Sequence, residues 1–447
     1  MKKLYALLGF VLVSFFSAQG QFTTGNLVVV RLGNGTTNYG GGSAARCFLD
    51  EYTTTGTLVQ TIPMPVTTVG SNRRFFINNG LFGAMLTLSG DKRYLLLPGY
   101  DTDEFTTPLA SITAAIAPRI VARIDKSGNI NTSTATGGYD GEAIESAYST
   151  DGNSIWTLGT TFSSPASGGL RYQTIGSTSS ILLNNNPLLG GYNLQEFNNQ
   201  LYVSYYTNTI VAISAVGTGF PTAGTPALTT LNGLPTTSFT PLGFFMADLN
   251  PSIPGPDVIY VCDPDLNGIT ANSITKFSLV GSSWVRNTSV ALTEPRGLTG
   301  VVNGSTVTLY ATSATGLHSL VDASGYNNAV TATVTNLATA PGNAKFKGIA
   351  FAPSDFPTAV KNTESITMNR VYQRSTNELQ LEFTSTKPAA VSITVTDISG
   401  RQWSSTNYRT VTGVNTPVIN IRGLQKAVYL ITVINGTEKT VTRFAKQ

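Results

Sequence analysis

The chain of 447 residues has little histidine, cysteine or charge: it contains one His and two Cys, and only 12% of its residues are charged. A single histidine excludes metal sites built from several histidines and argues against Ser-His-Asp or Cys-His catalysis. Few Glu and Lys residues and no Leu heptads exclude a coiled coil. The chain is rich instead in Thr, Ser, aromatic residues and Gly (44 residues), a composition typical of strands joined by turns.

One long apolar run occurs, and it lies at the N-terminus. Lys2 and Lys3 precede the apolar residues 4–16, and Ala18-Gln19-Gly20 has the small residues of a cleavage site. This pattern predicts a secretory signal peptide over residues 1–20. A membrane anchor is the alternative, but the run is shorter than the ~20 residues that a span needs. We expect no transmembrane helix in the mature chain.

The distribution of charge divides the mature chain in two. Residues 21–357 contain 15 basic and 19 acidic residues, whereas residues 358–447 contain 11 basic and 5 acidic residues. Such a shift, together with Pro353 and Pro357, predicts a domain boundary and a linker near residue 357. The basic segment lacks the Lys/Arg runs and interleaved aromatics of a nucleic-acid surface, so we expect no nucleic-acid partner.

Residues 377–447 show alternating strands with a turn every 8–12 residues, the pattern of a small Ig-like β-sandwich. The motif VTDISGR (residues 395–401), the pair Gly423-Leu424 followed by Val428-Tyr429-Leu430, and a basic tail at 439–446 make this segment resemble the C-terminal sorting domain of the type IX (Por) secretion system of Bacteroidetes. Ala427 stands where that family usually has Gly. The resemblance implies a partner, the type IX machinery, for residues 358–447, and a secreted or outer-surface location. An ordinary appended binding module is the alternative.

A repeat of 50–58 residues fills the middle of the chain. Each copy begins with a glycine that leads into an apolar strand; these glycines are Gly83, Gly141, Gly191, Gly243, Gly297 and Gly348. Each copy also contains a second hairpin, so that one unit is four antiparallel strands, the blade of a β-propeller.

The two ends of the repeat region complement each other. The last unit has only its first strand, residues 348–353, and the second strand can come from residues 26–33 at the other end of the region. One composite blade built from both ends would hide the open edges of the ring. The predicted fold class is therefore all-β: a six-bladed β-propeller (residues 21–357) with a composite closing blade, followed by the Ig-like sandwich. A seven-bladed ring would need a further copy, which the sequence does not contain.

Residues beside the leading glycines should surround one mouth of the central channel, where propellers commonly bind ligands. The candidate ligand-binding residues there are Asp140, Glu142, Tyr192, Asn193, Glu294, Arg296 and Lys347. A mixed ring of this kind could bind a sugar acid, a carboxylate or a metal, or could be a self-compensating channel lining. A lactonase-type metal site could use only Asp140, Glu142 and Glu294. A sialidase-type site would need an Arg cluster that the ring lacks.

Residues 263–268 have the D-x-D-x-N-G spacing of a calcium loop, with Asp263, Asp265 and Asn267 as candidate ligands. The preceding segment resembles the FG-GAP type of calcium-using repeat. The match is incomplete because position 12 of the loop is Ile274 rather than an acid, and an Asx-rich turn is the alternative.

Taken together, these patterns favour a secreted or cell-surface propeller that binds a glycan or a protein, without catalysis. The alternatives are a metal-dependent hydrolase resembling a lactonase, and a structural surface component. Cys47 and Cys262 fall two blades apart and are expected to be free thiols, because a disulfide needs Cα atoms within about 7 Å. His318 stands alone and is expected to pack rather than to catalyse.

Overall fold

The computed structural model describes residues 20–162, 166–185, 188–265, 267–354, 366–397, 401–435 and 438–446. The chain divides into two compact units, Met1–Pro357 and Thr358–Gln447. Apart from one 3-10 turn at Leu109–Ser111, the regular elements of the described residues are strands. No helix in those residues is long and apolar enough to cross a bilayer. The predicted signal peptide lies, up to residue 19, outside the described residues.

The first unit contains 25 strands in the part of it that is described. They are β1 (Leu27–Leu32), β2 (Ala44–Tyr52), β3 (Leu58–Pro63), β4 (Phe76–Asn78), β5 (Thr87–Leu88), β6 (Tyr94–Tyr100), β7 (Arg119–Asp125), β8 (Ile130–Ala135), β9 (Ile144–Ser149), β10 (Ser154–Gly159), β11 (Leu170–Thr174), β12 (Ile181–Asn184), β13 (Gly190–Phe197), β14 (Gln200–Tyr206), β15 (Val211–Val216), β16 (Leu228–Thr230), β17 (Gly243–Ala247), β18 (Val258–Asp263), β19 (Ser273–Val280), β20 (Ser283–Ala291), β21 (Pro295–Asn303), β22 (Thr306–Ser313), β23 (Gly316–Asp322), β24 (Thr335–Thr339) and β25 (Lys345–Phe351).

These strands form six antiparallel four-stranded blades within the described residues. Four blades are consecutive in sequence: β9 to β12, β13 to β16, β17 to β20 and β21 to β24. Another consists of β5 to β8, and the last is β25-β1-β2-β3. Strand β4 pairs with both β2 and β6 and so joins these two blades into one nine-stranded sheet. The innermost strands contact one another in the cyclic order β25, β5, β9, β13, β17, β21 and back to β25, which closes the ring. The predicted propeller fold is confirmed.

The closing blade joins the two ends of the unit through strand β1. Val28 of β1 lies opposite Glu51 of β2 on one side and Ala350 of β25 on the other. Every residue of β1 is buried, because the strand lies in the sheet interior and both of its faces are covered. Pairing of the N-terminal with the C-terminal strand removes two exposed sheet edges.

Glycines allow the inner strands to approach closely around the ring axis. A Cβ on Gly348 of β25 would lie 2.2 Å from the backbone nitrogen of Leu86, and one on Gly297 of β21 would lie 2.8 Å from that of Ile349. Contacts below 3.0 Å to backbone atoms cannot be relieved by a side-chain rotation. The repeated glycine therefore has a packing role in the blades that contain it.

A buried ionic network ties the last two complete blades together. Lys276 of β19 lies 2.7 Å from Asp322 of β23 and also donates to Ser324 and the carbonyl of Gly325. The hydroxyl of Tyr260 donates to the same carboxylate at 2.6 Å. Lys276 and Asp322 are at most 1% exposed, and the donors around Asp322 lower its pKa.

The two cysteines are both free and buried. Burial raises the pKa of each thiol well above its usual range, so neither Cys47 nor Cys262 is an activated nucleophile. His318 lies on β23, half-buried, and its ring contacts the hydroxyl of Ser313 at 2.9 Å.

The second unit is a two-sheet sandwich. Its strands are β26 (Ile366–Ser375), β27 (Glu378–Ser385), β28 (Ala390–Asp397), β29 (Gln402–Arg409), β30 (Gly413–Asn415), β31 (Val418–Asn420), β32 (Val428–Asn435) and β33 (Glu438–Ala445). One sheet contains β26, β27, β30 and β31, and the other has the order β29-β28-β32-β33. Alternate residues of the central strands, such as Leu379, Leu381, Ile393 and Ile431, form its core. The predicted Ig-like sandwich is confirmed; of the VTDISGR motif, residues 398–400 lie outside the described residues.

Candidate functional site at the channel mouth

The segment Asn79–Ala84, which precedes β5, covers the end of the channel where the inner strands begin. The side chain of Lys347 reaches it from β25 and donates to the carbonyls of Gly80, Leu81 (3.4 Å) and Phe82 (3.1 Å). Met85, directly after the segment, packs with Tyr192 and Leu242 from two other blades. The channel is therefore closed at this end by apolar side chains.

The cations predicted for the mouth hold this segment in place. Arg296 donates to the carbonyl of Leu81 at 2.9 Å and lies 3.7 Å from the exposed carboxylate of Glu294. Lys345 donates to the side chain of Asn79 at 3.2 Å. Burial lowers the pKa of both Arg296 and Lys347. Because Lys347 and Nη1 of Arg296 donate to backbone carbonyls of the covering segment, these two cations contribute to closing the channel.

A cavity of about 270 Å³ lies beside the covering segment. Its polar lining consists of Asn78, Ser111, Glu142, Glu145 and Thr160, and its apolar lining includes Leu81, Phe82 and Phe162. Among the described residues that line it, none is Lys or Arg. The cavity thus combines two carboxyl groups with aromatic surface and short hydroxyl side chains.

The two carboxyl groups have different surroundings. Glu142, in the turn before β9, accepts a hydrogen bond from the hydroxyl of Thr160 at 2.6 Å. Glu145, on β9, is only 6% exposed, and in the described part of the chain no donor is hydrogen-bonded to its carboxyl group. Burial raises the pKa of Glu145 to about 8, and the nearby charge of Lys347 opposes that shift only in part. Glu145 is therefore protonated at neutral pH.

Gly83 makes room for Glu145. A Cβ at this position would lie 2.7 Å from Oε2 of Glu145, and the backbone of Gly83 has a φ of +82° that favours glycine. The carboxyl group of Glu145 thus fits under the covering segment because Gly83, within that segment, has no side chain.

Two tyrosine rings outside the cavity lining connect the two phenylalanine rings that line it. Phe82 stands 5.5 Å from Tyr192, Tyr192 stands 5.4 Å from Tyr206, and Tyr206 stands 5.5 Å from Phe162, measured between ring centroids. Phe82 is 39% exposed and Phe162 is 61% exposed. Such exposure of two large apolar rings at one cavity is typical of a ligand-binding surface.

The remaining predicted mouth residues lie outside the cavity. Asp140 accepts a hydrogen bond from the backbone amide of Ala114 at 2.7 Å in an exposed turn. Asn193 is buried between inner strands, where its side-chain oxygen accepts a hydrogen bond from Ser146 at 3.1 Å. Of the seven predicted residues, Glu142 lines the cavity, and Tyr192, Arg296 and Lys347 lie close to it.

Sequence reasoning missed Glu145 because it took Gly141 as the inner position of its blade. A parallel bridge places Ser146 beside Met85, and Ser146 in turn contacts Asn193. Ser146 therefore occupies the innermost position of its blade, as Gly348 does in the closing blade. Glu145 stands one residue before that position, as Lys347 does before Gly348. The alternation of the segment IESAYS (residues 144–149) was the signal that could have located it.

The opposite mouth of the channel has a smaller cavity of about 120 Å³, with Lys92, Gln195 and Glu196 among its polar lining. The hydroxyl of Tyr148, also in that lining, is buried without a hydrogen-bond partner.

The predicted calcium segment folds as a turn around Asp263. Its carboxylate accepts hydrogen bonds from the backbone amides of Thr240 and Asp265, both at 2.9 Å, and from the hydroxyl of Thr270 at 2.5 Å. The side chain of Asp265 accepts the amide of Asn267 at 3.0 Å. Residue 266 lies outside the described residues. In the described ranges, no group of three or more His, Cys, Asp or Glu is arranged for a metal. The calcium site stays a prediction.

Comparison with known proteins identifies the C-terminal unit. Residues 375–447 match the family of secretion system C-terminal sorting domains. The protein is therefore exported by the type IX system to the cell surface or the extracellular space, as the resemblance implied. No curated protein matches the sequence.

Among solved structures, the chain is similar to one in a nidogen/laminin complex, with 12% identity over 73% of this chain and 98% of that one, and a TM-score of 0.44. The chain is also similar to a Bacteroides fragilis protein assigned as a 6-phosphogluconolactonase, with 12% identity over 88% of this chain and 98% of that one, and a TM-score of 0.38. A gluconolactonase from Xanthomonas campestris is similar with 11% identity over 69% of this chain and 85% of that one, and a TM-score of 0.34. Similarity at this level carries no argument about activity.

Proposed function

We propose that this protein, exported by the type IX system, binds glycans at the cavity beside the channel mouth. The observation that carries the proposal is one cavity in which two carboxyl groups meet two exposed phenylalanine rings. The apolar faces of a pyranose pack on aromatic rings, and its hydroxyl groups need hydrogen-bond partners of fixed position. Phe82 and Phe162 supply the aromatic rings, and Glu142 and Glu145 supply the hydrogen-bond partners.

Export supports the same assignment. A protein placed at the cell surface or outside the cell meets polysaccharides rather than cytosolic metabolites. The buried cations Arg296 and Lys347 support a binding site of constant shape, because their hydrogen bonds fix the segment that carries Phe82.

The test is a glycan array probed with the predicted mature chain, residues 21–447, followed by titration calorimetry with the best ligand. Phe162→Ala should weaken binding at least tenfold, because it removes an exposed ring from the cavity. Phe105→Ala is the matched control: Phe105 is 52% exposed and lies outside the cavity lining, so its loss should leave the affinity unchanged.

Four results would oppose the proposal. Binding of no glycan, together with capture of a protein partner, would favour the protein-ligand alternative. Equal effects of Phe162→Ala and Phe105→Ala would exclude this cavity. Metal-dependent turnover of a bound glycan or lactone would favour the hydrolase alternative at Asp140 and Glu142, and self-association without any ligand would favour a structural role.

A further inference from the structure

We infer that the mouth cavity selects neutral sugars and that Glu145 binds them as a neutral carboxylic acid, donating its proton in a hydrogen bond to a ligand oxygen. This inference rests on the proposed glycan-binding function and specifies the class of ligand. Two observations carry it: the burial of an unpartnered carboxyl group that lines a cavity, and the absence of Lys and Arg from the described lining of that cavity.

The protonation state follows from burial. A carboxylate that is more than nine-tenths buried, with no donor in hydrogen-bond contact, pays a large desolvation cost and remains neutral instead. Lys347, the cation whose charge acts on Glu145, directs its donors to the carbonyls of residues 80–82, and no ion pair joins it to Glu145 within the described residues. A neutral carboxyl group offers one O–H donor to the cavity.

The ligand must therefore present complementary groups. Glu145 needs an acceptor oxygen, such as a hydroxyl, a ring oxygen or an acetamide carbonyl, and Glu142 accepts hydrogen bonds from ligand hydroxyl groups. A uronate would place a carboxylate beside these acidic side chains with no cation in the described lining to receive it. An ammonium group would gain less from an uncharged Glu145 than from a carboxylate. A neutral pyranose satisfies every group without a buried unpaired charge.

Other titratable groups surround Glu145. Tyr100, Tyr192 and Tyr206 lie near it, and burial raises the pKa of all three, so they stay neutral between pH 6 and pH 10. Glu142 lines the same cavity. Burial lowers the pKa of Lys347, so Lys347 is the group whose titration must be separated from that of Glu145.

Binding should consequently weaken in alkaline solution. Because only the protonated form of Glu145 donates, and its pKa in the free protein is about 8, affinity should fall about tenfold per pH unit above that value. Between pH 6.5 and pH 9.5 the dissociation constant for a neutral sugar should rise about 30-fold.

The experiment measures binding of three hexasaccharides at pH 6.5 and pH 9.5: N-acetylated chitohexaose (neutral), hexaglucosamine (protonated on part of its amino groups at pH 6.5 and uncharged at pH 9.5) and hexagalacturonate (anionic), with cellohexaose and mannohexaose as further neutral probes. We expect a neutral probe to bind best and to lose about 30-fold in affinity at the higher pH. Glu145→Gln should weaken binding a few-fold at pH 6.5, because an amide is a weaker donor, and should remove the dependence on pH.

Two control variants complete the design. Glu142→Gln should weaken binding at both pH values while keeping the 30-fold ratio. Glu196→Gln, at the opposite mouth, should leave both values unchanged.

Preferred binding of a charged probe would overturn the inference, as would affinity that rises with pH or a pH dependence that survives in Glu145→Gln, which would implicate Lys347. In each of these cases the proposed glycan-binding function would stand. Binding of no glycan at all on the array would instead refute that function, and the inference with it.

Discussion

Replacing Glu145 by Gln should stabilise the propeller, and the gain should grow with pH. In the folded protein the pKa of Glu145 is raised from 4.5 to about 8. Below pH 4.5 the side chain is protonated in both the folded and the unfolded state, so it does not change the free energy of unfolding relative to glutamine. As the pH rises toward 8, the unfolded chain ionises while the folded one does not, so stability is lost over this interval. Glutamine is a neutral side chain of the same shape and avoids that loss.

The expected magnitude follows from the shift. The difference of about 3.5 pKa units, at about 1.36 kcal/mol each, corresponds to roughly 5 kcal/mol at pH 8 and above. With an unfolding entropy of about 2.1 cal/mol/K per residue, that free energy corresponds to an increase in Tm of roughly 7 °C for a domain of this size.

Denaturant unfolding of wild type and Glu145→Gln at pH 4, 6, 8 and 9 would measure the effect. The two should be equal at pH 4 and diverge by about 1.4 kcal/mol per pH unit before levelling off near pH 8. Glu196→Gln, at the opposite mouth, is the matched control for the loss of a carboxyl group elsewhere in the channel. A constant difference between wild type and Glu145→Gln would mean that Glu145 is ionised in the folded protein, and the reasoning about the cavity would fail.

Three further predictions concern the rest of the molecule. Lys276→Met should destabilise the propeller by about 3–5 kcal/mol, because Asp322 would be left buried without its cation, and the double variant with Asp322→Leu should recover much of that loss in denaturant unfolding. If residues 263–268 bind calcium, calcium should raise the Tm and Asp265→Ala should abolish the increase, whereas identical melting curves in calcium and EDTA would identify the segment as a turn alone. Deletion of residues 358–447 should leave a cooperatively folded propeller that stays in the periplasm of a host with type IX secretion, since the composite blade closes the ring without them; secretion at the wild-type level would contradict this.

The fold was largely predictable because its determinants are local. Strands of period two, turn residues between them and a repeat of constant length predict blades, and two incomplete ends predict a shared blade. Strand β4 has only three residues and shows no periodicity of its own; it forms through pairing with β2 and β6. Strand β26 lies before residues 377–447, where the alternation indicated the sandwich, and the side chains of β26 and β29 are mostly exposed.

The site was only partly predictable because its geometry is tertiary. The covering segment 79–84 meets Lys347 and Arg296 across more than 200 residues of sequence, and no pattern within either segment predicts that contact. The position of Glu145 depended on register. Gly141 is a turn glycine with a φ of +68°, five residues before the ring position that Ser146 occupies. A leading glycine occupies the inner position in the three blades that contain Gly243, Gly297 and Gly348. In the other blades a residue with a side chain takes that position.

The central claim, that the mouth cavity binds sugar, is tested most directly by a crystal structure of the protein with the strongest array ligand. We predict a pyranose ring between Phe82 and Phe162, with its oxygens in hydrogen-bond contact with Glu142 and Glu145. Ligand density at the opposite mouth, near Lys92 and Glu196, or on the outer blade surfaces with this cavity empty, would contradict the claim.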